Sequence, residues 1–109
     1  MNKIRAVWSA ELPPIPEAQL AEIQANAAPA LYEAAACFWL FRFLHRVETP
    51  AAALTGDYCF GRFSHHLAAL DNVPLTDAFA AYLREDTLNA KDFGDYLAFL
   101  RGLSPDTGR

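Results

Sequence analysis

The sequence predicts an all-α protein, a single small bundle of about five helices behind a short extended N-terminal arm. Three observations predict it. The 109 residues include 21 Ala and 14 Leu against three Val and three Ile; Ala and Leu are strong helix formers, whereas β-branched residues favour strands. Hydrophobic residues make up 53%, enough for the chain to fold rather than stay disordered. Prolines 13, 14, 16, 29, 50, 74 and 105 cut the chain into segments of helical length, because Pro is tolerated in a helix's first turn but not in its interior. The length suits one domain. It is expected over residues 15–104, with an arm at 1–14 and a frayed tail at 105–109.

The arm is the least determined piece. Lys3 to Trp8 reads as a short strand or as an extended segment docked by Trp8. From Pro16 a first helix runs to about Ala28, with Leu20, Ile23 and Ala27 on one face. Pro29 starts a second helix, or kinks the chain into it, and this helix ends near Val47. Leu31, Ala34, Ala35, Phe38, Trp39, Phe41, Phe43 and Leu44 cover most of its circumference. A helix apolar all round is buried all round. Either it is the central helix of the bundle, or another chain covers one face.

Thr49 is a good N-cap and Pro50 a good first residue for the third helix, which runs to about Leu70. Ala52, Gly56, Cys59, Phe63, Leu67 and Leu70 form its apolar stripe. Gly56 and Gly61 lower helix propensity there, and small residues inside a helix allow a neighbour to approach closely. Asp71 and Asn72 end this helix and Pro74 begins the next, whose buried face is Leu75, Ala78, Phe79, Tyr82 and Leu83. Asn89 and Asp92 read as a variant capping pair for the last helix, which buries Phe93, Tyr96, Leu97 and Leu100.

Charge excludes some functions. The net charge is −4, and residues 71–109 carry seven acidic and four basic groups, a local net of −3. No basic stripe suits a nucleic acid. Met1 to Trp8 has no apolar region behind it of the kind a secretory leader carries, and the most apolar run, Ala34 to Leu44, is too short to span a bilayer. A cytoplasmic location is expected, with at most a peripheral contact to a membrane. Cys37 and Cys59 sit in apolar helical stretches and read as buried free thiols.

Chemistry is sparse. His65 and His66 are adjacent, so they point about 100° apart on a helix and do not chelate one ion from one face. Cys59 and His66 lie two turns apart on one side, and a metal there needs further ligands brought by the fold. No catalytic residue and no metal-ligand set is expected. Asp92 and Asp95 share a helix face at a spacing that suits Mg²⁺, but an acidic first turn suits the helix dipole equally. The five glycines are scattered and form no phosphate-binding loop. Asp57, between Gly56 and Tyr58, reads as half of an ion pair across an interface or as a water-facing group. The aromatic stripe of Phe38, Trp39, Phe41, Phe43, Phe60 and Phe63 reads as core, as a partner-covered surface or as the lining of an apolar channel.

The stretch Ala51 to Leu70, AAALTGDYCFGRFSHHLAAL, resembles the helix of trans-type polyprenyl diphosphate synthases that reads x-L-x-G-D-Y-L-x-x-x-x-x-x-L-A. DNVPLTDAFAAYLRE resembles the helix that follows it there, and PALYEAAACFWL is loosely similar to the family's R-P-x-L helix. The resemblance covers roughly residues 29–100, with Leu54-Thr55-Gly56-Asp57-Tyr58 its specific part. The departures are informative. Catalytic members carry two D-D-x-x-D motifs that hold Mg²⁺ and the diphosphate; this chain has neither, and it lacks the basic residues that grip the diphosphates. It resembles the small, non-catalytic component of two-component heptaprenyl or hexaprenyl diphosphate synthases. That resemblance implies an accessory subunit with no cofactor of its own, not catalytic alone, that pairs with an Asp-rich catalytic chain carrying Mg²⁺ and helps set product length. Gly56, Asp57, Tyr58, Phe60 and Phe63 then form the partner interface, and Phe38, Trp39 and Phe41 the apolar tunnel or core. The alternative is a self-associating helical interaction module with no link to prenyl chemistry.

Overall fold

The computed structural model describes residues 1–103. Helices α1 (Asn2–Val7), α2 (Glu17–Asn26), α3 (Tyr32–His45), α4 (Pro50–Ala69), α5 (Val73–Asn89) and α6 (Phe93–Gly102) follow in order, with a single 3-10 turn at Pro29–Leu31 before α3. No strand occurs among the described residues. The all-α bundle is therefore as the composition indicates. The expected frayed tail at 105–109 lies outside the described residues.

The N-terminal arm is a correction. Its first half is helical, not extended: α1 turns Ile4 into the core. A six-residue helix is too short to show periodicity in sequence, and burial of Ile4 is what holds it. Beyond it, Pro13, Pro14 and Pro16 keep the chain irregular. Trp8 docks this segment as expected: its indole N–H donates to the Pro13 carbonyl at 2.9 Å, and its ring stacks on Phe43. Arg5 makes a two-pronged ion pair with Glu17 at 2.6 and 2.8 Å, tying α1 to the start of α2. Both groups face water, so the pair adds little stability.

Helix α2 buries Leu20 and Ile23 and stops at Asn26, because Ala28 precedes a proline and takes the extended conformation that position favours. Helix α3 is the centre of the bundle. Ala34 to Leu40, Arg42 and Leu44 are all buried by the chain's own elements. Of the two explanations for its all-round apolarity, the central position is the one observed.

Helix α4 follows after a short loop turned by Glu48 in the left-handed region (φ 61°). The Thr49 hydroxyl accepts from the Ala52 N–H at 3.2 Å and Pro50 begins the helix. Its buried stripe is Ala52, Thr55, Gly56, Cys59, Phe63 and Leu67. Gly56 lies against α3, where an added Cβ would stand 3.5 Å from the Leu44 Cβ. Helix α3 and helix α4 pair along most of their length as an αα-hairpin.

The Asn72 side chain caps α5 by accepting from the Leu75 N–H. At the other end Ala90 takes a left-handed φ of 46°. The cap of α6 differs from expectation: Asn89 is the last residue of α5, and the capping box is Asp92 with Asp95. Asp92 Oδ1 accepts from the Asp95 N–H at 2.8 Å, and Asp95 Oδ2 accepts from the Asp92 N–H at 3.2 Å. Helix α6 packs on α2 and buries Tyr96 and Leu100, with Phe93 and Leu97 half-buried.

Phe38 is the hub of the core. Its ring centroid lies 5.0 Å from Phe63, 5.5 Å from Phe79 and 5.6 Å from Tyr96, so rings from α3, α4, α5 and α6 meet on one side chain. The Phe63 and Phe79 rings meet Phe38 edge-to-face and the Tyr96 ring stacks on it; aromatic pairs of these two kinds add about 0.5–1.5 kcal/mol each beyond area burial. Beside the hub, Arg42 is buried. Its Nε donates to Asp86 Oδ2 at 2.7 Å and its Nη2 donates to Asp86 Oδ1 and, at 2.7 Å, to the Lys91 carbonyl. The guanidinium lies 4.8 Å from the Trp39 ring centroid. This pair locks the end of α5 to the central helix.

Candidate functional site

Two places on the surface gather side chains with chemical potential. The first is an apolar groove between α4 and α5. The helices are joined by a turn at Asp71 (φ 48°) and diverge from it, leaving a cavity of about 290 Å³. Phe38, Phe63 and Phe79 form its floor, and Phe60, Leu67 and Leu83 line its sides. Its polar lining groups are the hydroxyls of Ser64 and Thr76, and none of its lining side chains is ionisable. Such a surface accepts an apolar, uncharged segment and rejects a charged one, because burying an unpaired charge there is costly.

The sequence-selected residues distribute as follows. Phe38, Phe60 and Phe63 meet in the groove. Phe41 packs on Phe60, with centroids 4.8 Å apart. Trp39 points elsewhere, toward Phe93 and Tyr96 of α6, and its indole N–H donates to Gln19 Oε1 at 2.8 Å. It is core and no part of the groove. Gly56 faces α3 and presents nothing outward. Asp57 is exposed, and Tyr58 keeps 37% of its surface free. One turn before Tyr58, Leu54 is 75% exposed. The outer face of α4 thus combines Leu54, Asp57 and Tyr58.

The second place was not anticipated. Glu33 and Cys37 stand one turn apart on α3, and His66 of α4 crosses to meet them. One carboxylate oxygen, the Cys37 Sγ and one imidazole nitrogen lie within 4.8 Å of one another. Glu33 Oε2 is 4.0 Å from His66 Nε2 and accepts from the Met1 nitrogen at 2.7 Å. Arg62 Nη2 lies 3.4 Å from His66 Nε2. A cavity of about 400 Å³ opens onto the group, with Lys3 and Tyr32 at its edge. The i, i+4 spacing of Glu33 and Cys37 was a visible signal. The arrival of His66, rather than its pairing with Cys59, depends on how α3 and α4 pack.

Both thiols are buried and free. Burial pushes Cys37 up to about 11, with the Glu33 charge adding to it, and Cys59 up to about 12. Neither is a thiolate nucleophile at neutral pH. Burial holds His66 below the usual histidine range, and the neighbouring Arg62 charge acts the same way. The carboxylates of Asp92 and Asp95 each serve a backbone N–H in the capping box, which accounts for their spacing without a cation.

Among the described residues no helix is long and apolar enough to cross a membrane. Comparison with protein-family models, curated proteins and solved structures gives no match.

Proposed function

We propose that this chain is a non-catalytic accessory subunit of a heteromeric trans-polyprenyl diphosphate synthase, working in the cytoplasm beside an Asp-rich catalytic chain. The catalytic chain holds Mg²⁺ and both diphosphates. This chain contributes apolar surface that receives the growing isoprenoid tail and helps set its length. The observation that supports the reading is the groove between α4 and α5: it is aromatic, carries no ionisable lining group, and is walled by the helix that bears the Leu54-Thr55-Gly56-Asp57-Tyr58 resemblance. On that helix Phe60 and Phe63 turn toward the groove, while Leu54, Asp57 and Tyr58 remain free to meet a partner.

The division of labour follows from chemistry. An isoprenoid tail is a methyl-branched hydrocarbon, matched by phenyl rings and Leu side chains. A diphosphate needs cations, which the groove lacks. Phe60, half-buried at the groove's side, is the ring best placed to limit length. Co-expression with the aspartate-rich synthase of the same organism tests this. Co-purification is expected, with longer products when Phe60→Ala replaces the native chain. A chain that ignores that synthase and leaves its product distribution unchanged overturns the reading. If the isolated chain instead sediments as a stable homodimer that Tyr58→Asp dissociates, the self-associating module is the correct description.

A further inference from the structure

We propose that Glu33, Cys37 and His66 form a site for a soft divalent cation of the zinc type, independent of the apolar groove. One Glu33 oxygen, the Cys37 sulfur and a His66 nitrogen supply three positions, and a water from the adjoining cavity takes the fourth. As Sγ binds the ion it releases its proton to solvent, so the new thiolate and the existing Glu33 carboxylate together balance the two charges of the metal.

The geometry carries the assignment. Glu33 and Cys37 project from one face of α3, and His66 from the facing side of α4. Their donor atoms lie within 4.8 Å of one another. A tetrahedral ion with bonds of about 2.0–2.3 Å holds its donors roughly 3.4–3.8 Å apart, so the widest pair must close by about 1 Å. Glu33 and His66 are both partly exposed and can turn by that much. Cys37 is buried in the core among packed neighbours and acts as the fixed point.

The donor set selects the metal class: sulfur and imidazole suit zinc-like ions, whereas Mg²⁺ prefers an all-oxygen octahedron. The cavity of about 400 Å³ gives an entry path and room for the fourth ligand.

Two cationic groups now occupy the donors, the Met1 nitrogen on Glu33 and the Arg62 guanidinium beside His66. The ion replaces them. Arg62 is half-exposed and swings outward. A structural ion-pair cluster would be weakened by loss of Arg62, whereas a metal site is relieved of a competitor.

The test uses the full chain, stripped of metal, titrated with Co²⁺ under anaerobic conditions and read by absorption. A thiolate-to-cobalt charge-transfer band with the intense d–d bands of tetrahedral cobalt is expected, saturating at one ion per chain and displaced by Zn²⁺. Cys37→Ser is expected to abolish the charge-transfer band, and Cys59→Ser to keep it. Glu33→Gln and His66→Gln lie at partly exposed positions and preserve the test if Cys37→Ser fails to fold. Each is expected to weaken binding by about tenfold or more, at least the loss that outer partners of a metal site produce. Arg62→Gln is expected to tighten binding. Absence of the charge-transfer band, its survival in Cys37→Ser, or weaker binding in Arg62→Gln would overturn the site.

Discussion

The phenol of Tyr96 donates a 2.6 Å hydrogen bond to the backbone carbonyl of Ala35, joining α6 to the central helix across 61 positions of sequence. Tyr96 is fully buried. Burial pushes its pKa well above the ordinary tyrosine value. The hydroxyl of Tyr82 is also buried, beside the same cluster, but has no hydrogen-bond partner among the described residues.

These two hydroxyls predict opposite outcomes. Tyr96→Phe removes a satisfied pair and is expected to cost about 1 kcal/mol. Tyr82→Phe removes an unsatisfied group and is expected to be neutral or to stabilise by up to about 1 kcal/mol. Urea unfolding of both variants decides it, and a larger loss in Tyr82→Phe would refute the assignment.

Stability is expected to fall in alkali. Cys37 rises to about 11 and Cys59 to about 12 from an ordinary 9.0, and Tyr82 to about 12 from 10.0. A pKa raised by folding means that the folded state keeps its proton longer. The associated stability is complete below the unfolded value and is lost as pH climbs through the folded one. The decline should therefore begin near pH 9 and steepen above pH 10. Cys59→Ala should flatten its first part. A midpoint of urea unfolding that stays level from pH 8 to 11 would contradict the burial of these groups.

Arg42 and Asp86 are 4% and 13% exposed. Removing one partner strands a buried charge, so Asp86→Ala is expected to cost about 3–5 kcal/mol. Replacing both, as Arg42→Met with Asp86→Leu, should recover most of that loss, because apolar groups of similar volume avoid the desolvation cost. A double-mutant cycle in urea measures the coupling. A single-variant loss below about 1 kcal/mol would show that the pair is not the lock between α3 and α5.

Glycine and alanine occupy two positions where the other fits better. An added Cβ at Gly61 meets nothing within 4 Å among the described residues, and the residue is mid-helix and exposed. Gly61→Ala should stabilise by about 0.4–1 kcal/mol. Ala90 holds a left-handed φ of 46° at the end of α5, where a Cβ costs about 1–2 kcal/mol. Ala90→Gly should stabilise after its own entropic cost is deducted. Thermal unfolding of the pair is expected to show additive gains, since the two positions share no contact.

Much of this was legible in sequence for local reasons. Pro29, Pro50 and Pro74 mark three helix starts, and Thr49 is a cap whose partner is three residues away. Phe38 to Leu44 announced a helix buried all round. What escaped notice had a cause in each case. Helix α1 is too short for periodicity. Asp86 answers Arg42 from 44 positions away. The meeting of Glu33 and Cys37 with His66 depends on the register of α3 against α4, which no local pattern specifies. The groove's rings were individually visible, but which of them reach the groove was not: Phe38 and Trp39 both stack on Tyr96, and of the two Phe38 alone also reaches the groove.

The hub at Phe38 also bears on how the chain is made. The α3–α4 hairpin closes over a short loop, so it can assemble as soon as both helices have left the ribosome. Phe79 and Tyr96 come later, and until α6 is synthesised the faces of Phe38 and Trp39 that Tyr96 covers stay open to water. A nascent chain stalled before Phe93 would hold these two aromatic faces open to water, an aggregation-prone surface that synthesis of α6 closes.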